Sequence, residues 1–439
     1  MSKNLYLFMG ILKAESPFMI GNGNDTYSDK DLLRNHLGKP FIPGTSLAGV
    51  CRSYLESDPK LTNLIDKYFG QAKQNKESSL DRQSRVIFYD SQLLEKSVST
   101  TRIRDSVRLE NKIASPEGKF DFEIVELGAE FSFRLEFKIE DGEVSEVKRI
   151  VEKLIAGFYK GEIRIGGKTS RGYGYFKLLK KNREVGIESR LLKLPSDLDE
   201  YINWNWSINC FRSDDSLSIP NINDSFVTSA ELRLKSFLFI RDYSHGVGKN
   251  DGRIDAVPLK NGKKEVVIPG TSWAGIFRNH MRRILSQLDD SQLMLIFPEC
   301  SSDSKLYVEK IINYLFGYVV GEEKQVSNLY FKESSFKNDS VSEVLRTRTA
   351  IDRFTGGASN GLLFNNLLAY SKGEKSICSV EIHFSQTLKN NQTQCTFVRS
   401  LLENCIDDLK SGYLVVGGQT SVGGGIFEDG EKNDKVQKD

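Results

Sequence analysis

The sequence predicts an α+β protein made of two tandem copies of one β-α-β-β-α-β domain. Two observations predict it: a short motif that returns once at long range, and the order of strand-like and helix-like segments around each occurrence. Ile42 to Gly49, IPGTSLAG, recurs as Ile268 to Gly275, IPGTSWAG, at an offset of 270 − 44 = 226 positions, and Arg52 then matches Arg278. IRIGGKTSRGYGYF from Ile163 recurs as LVVGGQTSVGGGIF from Leu414, which pairs Gly166/Gly417, Gly167/Gly418, Thr169/Thr420, Ser170/Ser421, Gly172/Gly423 and Gly174/Gly425. Between these ends SRVIFYDSQL from Ser84 matches SNLYFKESSF from Ser327, and Arg102-Ile103-Arg104 matches Arg346-Thr347-Arg348. Several matches in one order mean internal duplication.

Each copy opens on a strand-like segment rich in Leu, Phe and Ile, Asn4 to Leu12 and Ala230 to Ile240. The PGTS motif then starts a helix. Pro43 and Pro269 suit the position before it, the Thr-Ser pairs offer capping hydroxyls, and GVCRSYLE and GIFRNHMRRILSQL carry apolar residues at helical spacing. Strands are expected at Val86 to Tyr89 and Leu329 to Lys332, then at Phe131 to Ile139 and Ser379 to Phe384. Helices at Ser145 to Phe158 and Thr396 to Leu409 precede a final Gly-rich strand. This is the ferredoxin-like order shared by RRM folds. The expected division is a first domain over 1–200, a linker over 201–228 where polar residues accumulate, a second domain over 229–428, and a charged flexible tail over 429–439.

The chain has 439 residues, with Lys+Arg 61 against Asp+Glu 59. That balance excludes a uniformly basic polyanion binder, so nucleic-acid contact has to come from local patches. Six cysteines without a C-x-x-C pair and four histidines argue against structural zinc and fit a reducing cytosol. The N-terminus reads as a first strand rather than a signal peptide, and no run of ~18 apolar residues suggests a membrane helix.

The helix starts place Gly44, Thr45, Ser46, Gly270, Thr271 and Ser272 where backbone N–H groups can receive phosphate, with Ala48, Gly49, Ala274 and Gly275 leaving room for a sugar-phosphate chain. The plain alternative is a capped helix packed on a sheet. The Gly-rich segments, with Gly167, Lys168 and Gly418, could let RNA backbone approach or could be tight packing. They are not Walker A loops, because the leading glycine falls on Glu162 and Gln419 replaces the lysine. Arg102, Arg104 and Arg108, and Arg346, Arg348 and Arg353, flank an irregular middle segment, and RFTGGASNGLLF from Arg353 looks like a projecting hairpin. Such arginines meet phosphates or bases, or are simply solvated. The loop before each PGTS motif is acidic: Asp25, Asp29 and Asp31 in the first copy, Asp251 and Asp255 in the second. A carboxylate there could hold a divalent ion beside RNA, although loop aspartates are often turn formers. His36 and His245 share these loops without an acid/base partner.

IPGTSLAGVCR and IPGTSWAGIFR resemble the signature of the RAMP superfamily, and the leaders DLLRNHLGKPFIPGTS and DAVPLKNGKKEVVIPGTS resemble those of the repeating backbone subunits of type III CRISPR complexes. AIDRFTGGASNGLLF is similar to their thumb hairpin and GGKTSRGYG to their C-terminal loop. The resemblance implies an RRM-like palm with a thumb in each copy, in a fused two-copy arrangement like that of type III-D systems. It implies a cytoplasmic complex with guide RNA, complementary target RNA and other type III subunits, and no membrane. It further implies metal-dependent cleavage of target RNA, with Mg2+ or Mn2+, at Asp31 and Asp255. The first copy's DSVRLENKIASPEGKFDF lacks the TGG of the second. A non-catalytic backbone and a stand-alone processor of guide precursors are the alternative functions.

Overall fold

A computed structural model of the chain describes residues 4–23, 28–70, 83–95, 100–110, 113–179, 188–206, 212–213, 227–242, 254–300, 307–320 and 323–431, with single positions 97 and 217. Asp25, His245, Asp251, Cys210 and the end of the charged tail lie outside the described residues.

The first repeat runs β1 (Asn4–Ala14), α1 (Gly44–Glu56), α2 (Thr62–Phe69), β2 (Val86–Phe88), a hairpin of β3 (Thr101–Glu110) and β4 (Ile113–Val125), β5 (Glu130–Ile139), α3 (Val144–Tyr159), β6 (Phe176–Leu178) and β7 (Glu188–Lys193). Its antiparallel sheet orders β6–β1–β5–β2, with Asn4 opposite Ile139 and Lys13 opposite Glu130. The second repeat runs β8 (Val227–Leu234), α4 (Gly270–Leu285), α5 (Tyr307–Phe316), β9 (Leu329–Phe331), β10 (Val341–Ile351), β11 (Ala358–Ser371), β12 (Ile377–Phe384), α6 (Gln392–Lys410) and β13 (Phe427–Asp429). Its sheet orders β9–β12–β8–β13. In both, the first strand lies between the third and the fourth and the second pairs with the third, which is the ferredoxin-like order; in the first repeat β7 also pairs with β1, along Asn4–Met9, and extends that sheet. The expected pair of tandem RRM-like domains is therefore present.

Helical spacing explains the layers. α3 buries Val147, Ile150, Val151, Leu154, Ile155 and Phe158 on one face, and α6 buries Val398, Leu401, Leu402, Cys405 and Leu409. Trp273 and Phe277 put α4 into the second core, where the Trp273 Nε1–H donates to Ser334 Oγ at 2.9 Å. The cysteines among the described residues are buried and unbridged. No described helix is long and apolar enough to cross a membrane.

The start of α3 carries a charge device. Glu143 accepts from Arg85 Nη2 at 2.6 Å and pairs with Lys67 at 2.7 Å. Burial alone would raise its pKa, but Arg85 and Lys67 outweigh it and hold the carboxyl at about 2. A depressed folded value gives stability that is complete above the unfolded carboxyl's ~4.3 and is lost as pH falls through about 2. Glu143→Gln should therefore cost about 2 kcal/mol at pH 7. Most of that difference should vanish at pH 2, as urea titrations at the two pH values will show.

One local expectation changes. The Gly-rich segments are loops, not strands; only three residues after each pair in the sheet. The reason is positive φ at Gly166, Gly172 and Gly174, and at Gly417, Gly423 and Gly425, which no strand accommodates. The hairpin expected in each copy is present in the first one too, although it lacks the TGG motif.

Candidate nucleic-acid interface

The helix starts do not use their hydroxyls as caps. Pro43 and Pro269 occupy the cap positions, and neither helix has a side-chain cap bond. In the first repeat the Gly44 amide donates instead to Asp90 Oδ1 at 2.8 Å. Gly44 and Gly270 are buried, and a Cβ on them would lie 2.1 Å from Phe88 O and 2.2 Å from Phe331 O. These glycines face the sheet rather than a ligand. The open face is one turn further on. Gly49 and Gly275 are exposed with open space around them. With Thr45, Ala48 and Arg52, and with Thr271, Ala274 and Arg278, they form a small-residue stripe at i, i+3, i+4 and i+7. Ser46 and Ser272 are half-buried beside it. Arg52 pairs with Glu56 at 2.8 Å. Arg278 donates to Asn313 at 2.8 Å; burial and then the like charge of Arg282 lower its pKa.

The Gly-rich loops are near-duplicates. Lys168 and Gln419 both take φ of 58°, in the left-handed region that side chains seldom occupy. The amides of Gly167 and Gly418 each donate 2.8 Å to a carbonyl, Met19 O and Phe239 O. Those amides serve the fold and are not aimed at a ligand. Lys168 is half-buried.

The second repeat's thumb is a long exposed ribbon. Leu345, Leu363, Phe364 and Ile351 are 45–65% exposed and Phe354 at its tip is 99% exposed. The tip is shaped by Asp352, which accepts the Phe354 and Thr355 amides at 2.9 and 2.7 Å. Those bonds, from Thr355 first, lower the Asp352 pKa. Arg353 is exposed at the tip and Arg346 lower down, where it donates to Tyr370 Oη at 3.2 Å and lies over the Phe237 ring. Arg348 is half-buried on β10. In the first repeat Arg102 is half-buried, whereas Arg104 is 4% exposed and ion-paired with Glu333, so it is not a solvent-facing RNA contact.

The two leader aspartates differ. Asp255 is exposed at the root of the thumb. Its Oδ2 accepts the Asn365 amide at 2.6 Å, and its own amide donates to Asn365 O at 2.7 Å. Asp31 is 4% exposed and its Oδ1 accepts the Ser28 amide at 2.9 Å and the Ser28 hydroxyl at 3.1 Å. Asp29 is exposed. Among the described residues no three His, Cys, Asp or Glu side chains gather into a metal cluster. A magnesium-like cation needs only one or two carboxylates when RNA phosphates and water complete its shell, so the donor type at Asp255 fits.

The sheet faces are not base-stacking platforms of the RRM kind. In the first repeat Leu5, Leu7, Met9 and Leu192 are covered by Leu194, Trp204 and Trp206. In the second the outward positions of β8 and β12 are mostly polar, with Lys332 bonded to Glu381 at 2.8 Å.

A family model of the RAMP superfamily matches residues 11–177 and, again, 231–428. The chain belongs to the RAMP superfamily. Each repeat is matched separately, so this is a two-copy RAMP protein. The chain is similar to a CRISPR system Cms endoribonuclease, Csm3, of Methanocaldococcus jannaschii. The two are 26% identical over 231 residues, covering 46% of this chain and 91% of that one, as one RAMP repeat of two would do. It also aligns with a chain of an apo type III-B Cmr-beta cryo-EM structure at 14% identity and a TM-score of 0.33, over 39% of this chain and 96% of that one.

Proposed function

We propose that this protein is a backbone subunit of a type III CRISPR effector complex that holds guide RNA along its sugar-phosphate chain and cleaves complementary target RNA. Its partners are guide RNA, target RNA and the other subunits of that complex, in the cytoplasm. The observation that carries the catalytic part is the placement of Asp255: exposed, and fixed to the thumb strand through Asn365. The thumb's exposed apolar residues would part guide from target, and the carboxylate at the thumb root would then face the target backbone. Asp255 holds its position through Asn365, orients the cation's side of the site, and keeps one carboxylate edge toward solvent. A divalent ion, Mg2+ or Mn2+, bound there would stabilise charge on the scissile phosphate.

Asp31 is assigned a second cut by motif position. Its carboxylate is held by Ser28, so it has to leave that turn before it faces RNA, and its cut is the slower of the two. The buried, satisfied state of Asp31 also supports a second reading, in which the first repeat is scaffold only. Target cleavage by reconstituted complexes carrying Asp31→Ala or Asp255→Ala separates the readings.

Guide binding is expected to be sequence-tolerant and salt-sensitive, because the exposed contacts are arginines and a small-residue stripe. Arg353→Ala, at the thumb tip, should lower the slope of log affinity against log salt by about 0.7 for a single strand. An unchanged slope would place Arg353 away from phosphate.

A further inference from the structure

Asp255 lies along the edge of β11 opposite to β10. Its amide donates to Asn365 O at 2.7 Å, and the Asn365 amide donates to Asp255 Oδ2 at 2.6 Å. Both backbone groups of Asn365 are thereby turned to Asp255. Its pairing with Thr347 across the hairpin is then of the non-hydrogen-bonded kind, in which facing side chains come closest. The Thr347 hydroxyl uses that closeness and donates to Asn365 Oδ1 at 2.7 Å. The oxygen and nitrogen of a carboxamide point apart, so Nδ2 is turned away from β10, to the side on which Asp255 lies. Its two N–H donors have no partner among the described residues. Leu345 and Leu363, two residues along on the same face, are exposed and apolar. Holding an exposed carboxamide in one orientation costs rotamer freedom that burial does not offset here.

The duplication supplies a comparison within the chain. With Arg102 set on Arg346 the offset is 346 − 102 = 244, and in that register Ile103 stands in the place of Thr347 and Asp121 in the place of Asn365. The first repeat thus has neither the orienting hydroxyl nor the N–H donors. It puts a carboxylate where the second repeat has an amide, and a carboxylate repels phosphate where an N–H attracts it.

We propose that Asn365 is a catalytic residue of the second repeat, donating from Nδ2 to a non-bridging oxygen of the scissile phosphate, and that Thr347 is the residue that positions it. This rests on the cleavage reading above. The two side chains are complementary in what they offer: Asp255 gives oxygen to a cation, and Asn365 gives N–H to the phosphate that the cation holds. Negative charge grows on that oxygen as the linkage breaks, and a donor already fixed by Thr347 meets it without reorienting. The contribution therefore falls on rate rather than on target affinity. Because Ile103 and Asp121 replace the pair in the first repeat, the contact belongs to the cut assigned to Asp255 alone.

The test uses the reconstituted complex and follows the cut that Asp255→Ala removes. Asn365→Ala keeps the backbone amide that anchors Asp255, and should slow that cut about a hundredfold at saturating target, with target affinity and the other cut unchanged. Asn365→Asp keeps an acceptor for the Thr347 hydroxyl but loses the N–H donors, and should slow it at least as much. Thr347→Val should slow it about tenfold, and Thr347→Ser, which keeps the hydroxyl, should restore it. A contact to phosphate also leaves a mark that a structural role does not. Sulfur is a poor hydrogen-bond acceptor, so one phosphorothioate diastereomer at that linkage should slow the wild-type cut and add nothing in Asn365→Ala. In EDTA, where nothing is cut, an azidophenacyl group carried on that sulfur should photocross-link to β11; attachment only elsewhere overturns the contact. A cut lost in Asp255→Ala but made at the wild-type rate by Asn365→Ala, or sulfur effects undiminished in Asn365→Ala, overturns this inference and leaves the cleavage reading standing. A wild-type pattern from Asp255→Ala overturns the cleavage reading, and this inference with it.

Discussion

Asp255→Ala is expected to remove one of the target-RNA cuts made by the assembled complex while leaving guide retention and assembly unchanged. The side chain is exposed and its removal leaves no buried polar group behind, so the fold has little to lose. On the proposed function, the carboxylate would stabilise charge in the transition state through a cation bound there, a contribution of several kcal/mol, or roughly a hundredfold or more in rate. The loss should fall on the cleavage rate at saturating target and not on target affinity. Asp255→Asn tests the chemistry separately: it keeps an acceptor for the Asn365 amide and loses the charge, so it should cut as poorly as the alanine variant. EDTA should remove both cuts, and a wild-type cleavage pattern from the Asp31→Ala, Asp255→Ala double variant would leave the protein as scaffold.

Gly425→Ala and Gly270→Ala are expected to destabilise the second repeat by roughly 3 kcal/mol or more each. Gly425 has φ of 73° and its Cβ would lie 1.8 Å from Val416 O, a backbone atom that cannot rotate away. Gly270 has an ordinary backbone conformation, but its Cβ would meet Phe331 O at 2.2 Å and Arg171 O at 2.5 Å. Chemical denaturation of the full chain should show the loss in the transition that reports Trp273. Gly275→Ala is the matched control: that Cβ would meet nothing within 4 Å, and alanine is the better helix former, so stability should hold or rise slightly. Guide binding by Gly275→Ala then reports on the stripe itself, without the fold as a confounder.

The repeat, the element order and the family were legible because they rest on local signals. Helical spacing in GIFRNHMRRILSQL and the matched glycines survive in any window of the sequence. What a glycine is for was not legible. Gly44, Gly167 and Gly418 were expected to receive RNA; the first fills a gap against Phe88 O, and the other two donate amides to carbonyls about 150 and 180 residues away in sequence. Only the folded chain decides which side of a glycine is closed. Arg104 shows the same limit, since its burial against Glu333 joins residues 229 apart. A signal for that pair was present in the alignment of the repeats, where Asp90 and Glu333 put an acid at one position of both copies. The anchoring of Asp255 by Asn365 had no such signal, because it is a bond from the backbone amide and any residue but proline at 365 could make it.

The burial of the PGTS glycine has a consequence for how such proteins are recognised. A motif that packs a helix onto a strand is retained by every descendant that still folds, including one that has lost its chemistry. A genome search keyed to PGTS therefore counts folded descendants and cannot count working nucleases. On the proposed function, the exposed position held by Asp255, with no packing duty to preserve it, is the one whose drift would date a loss of cleavage.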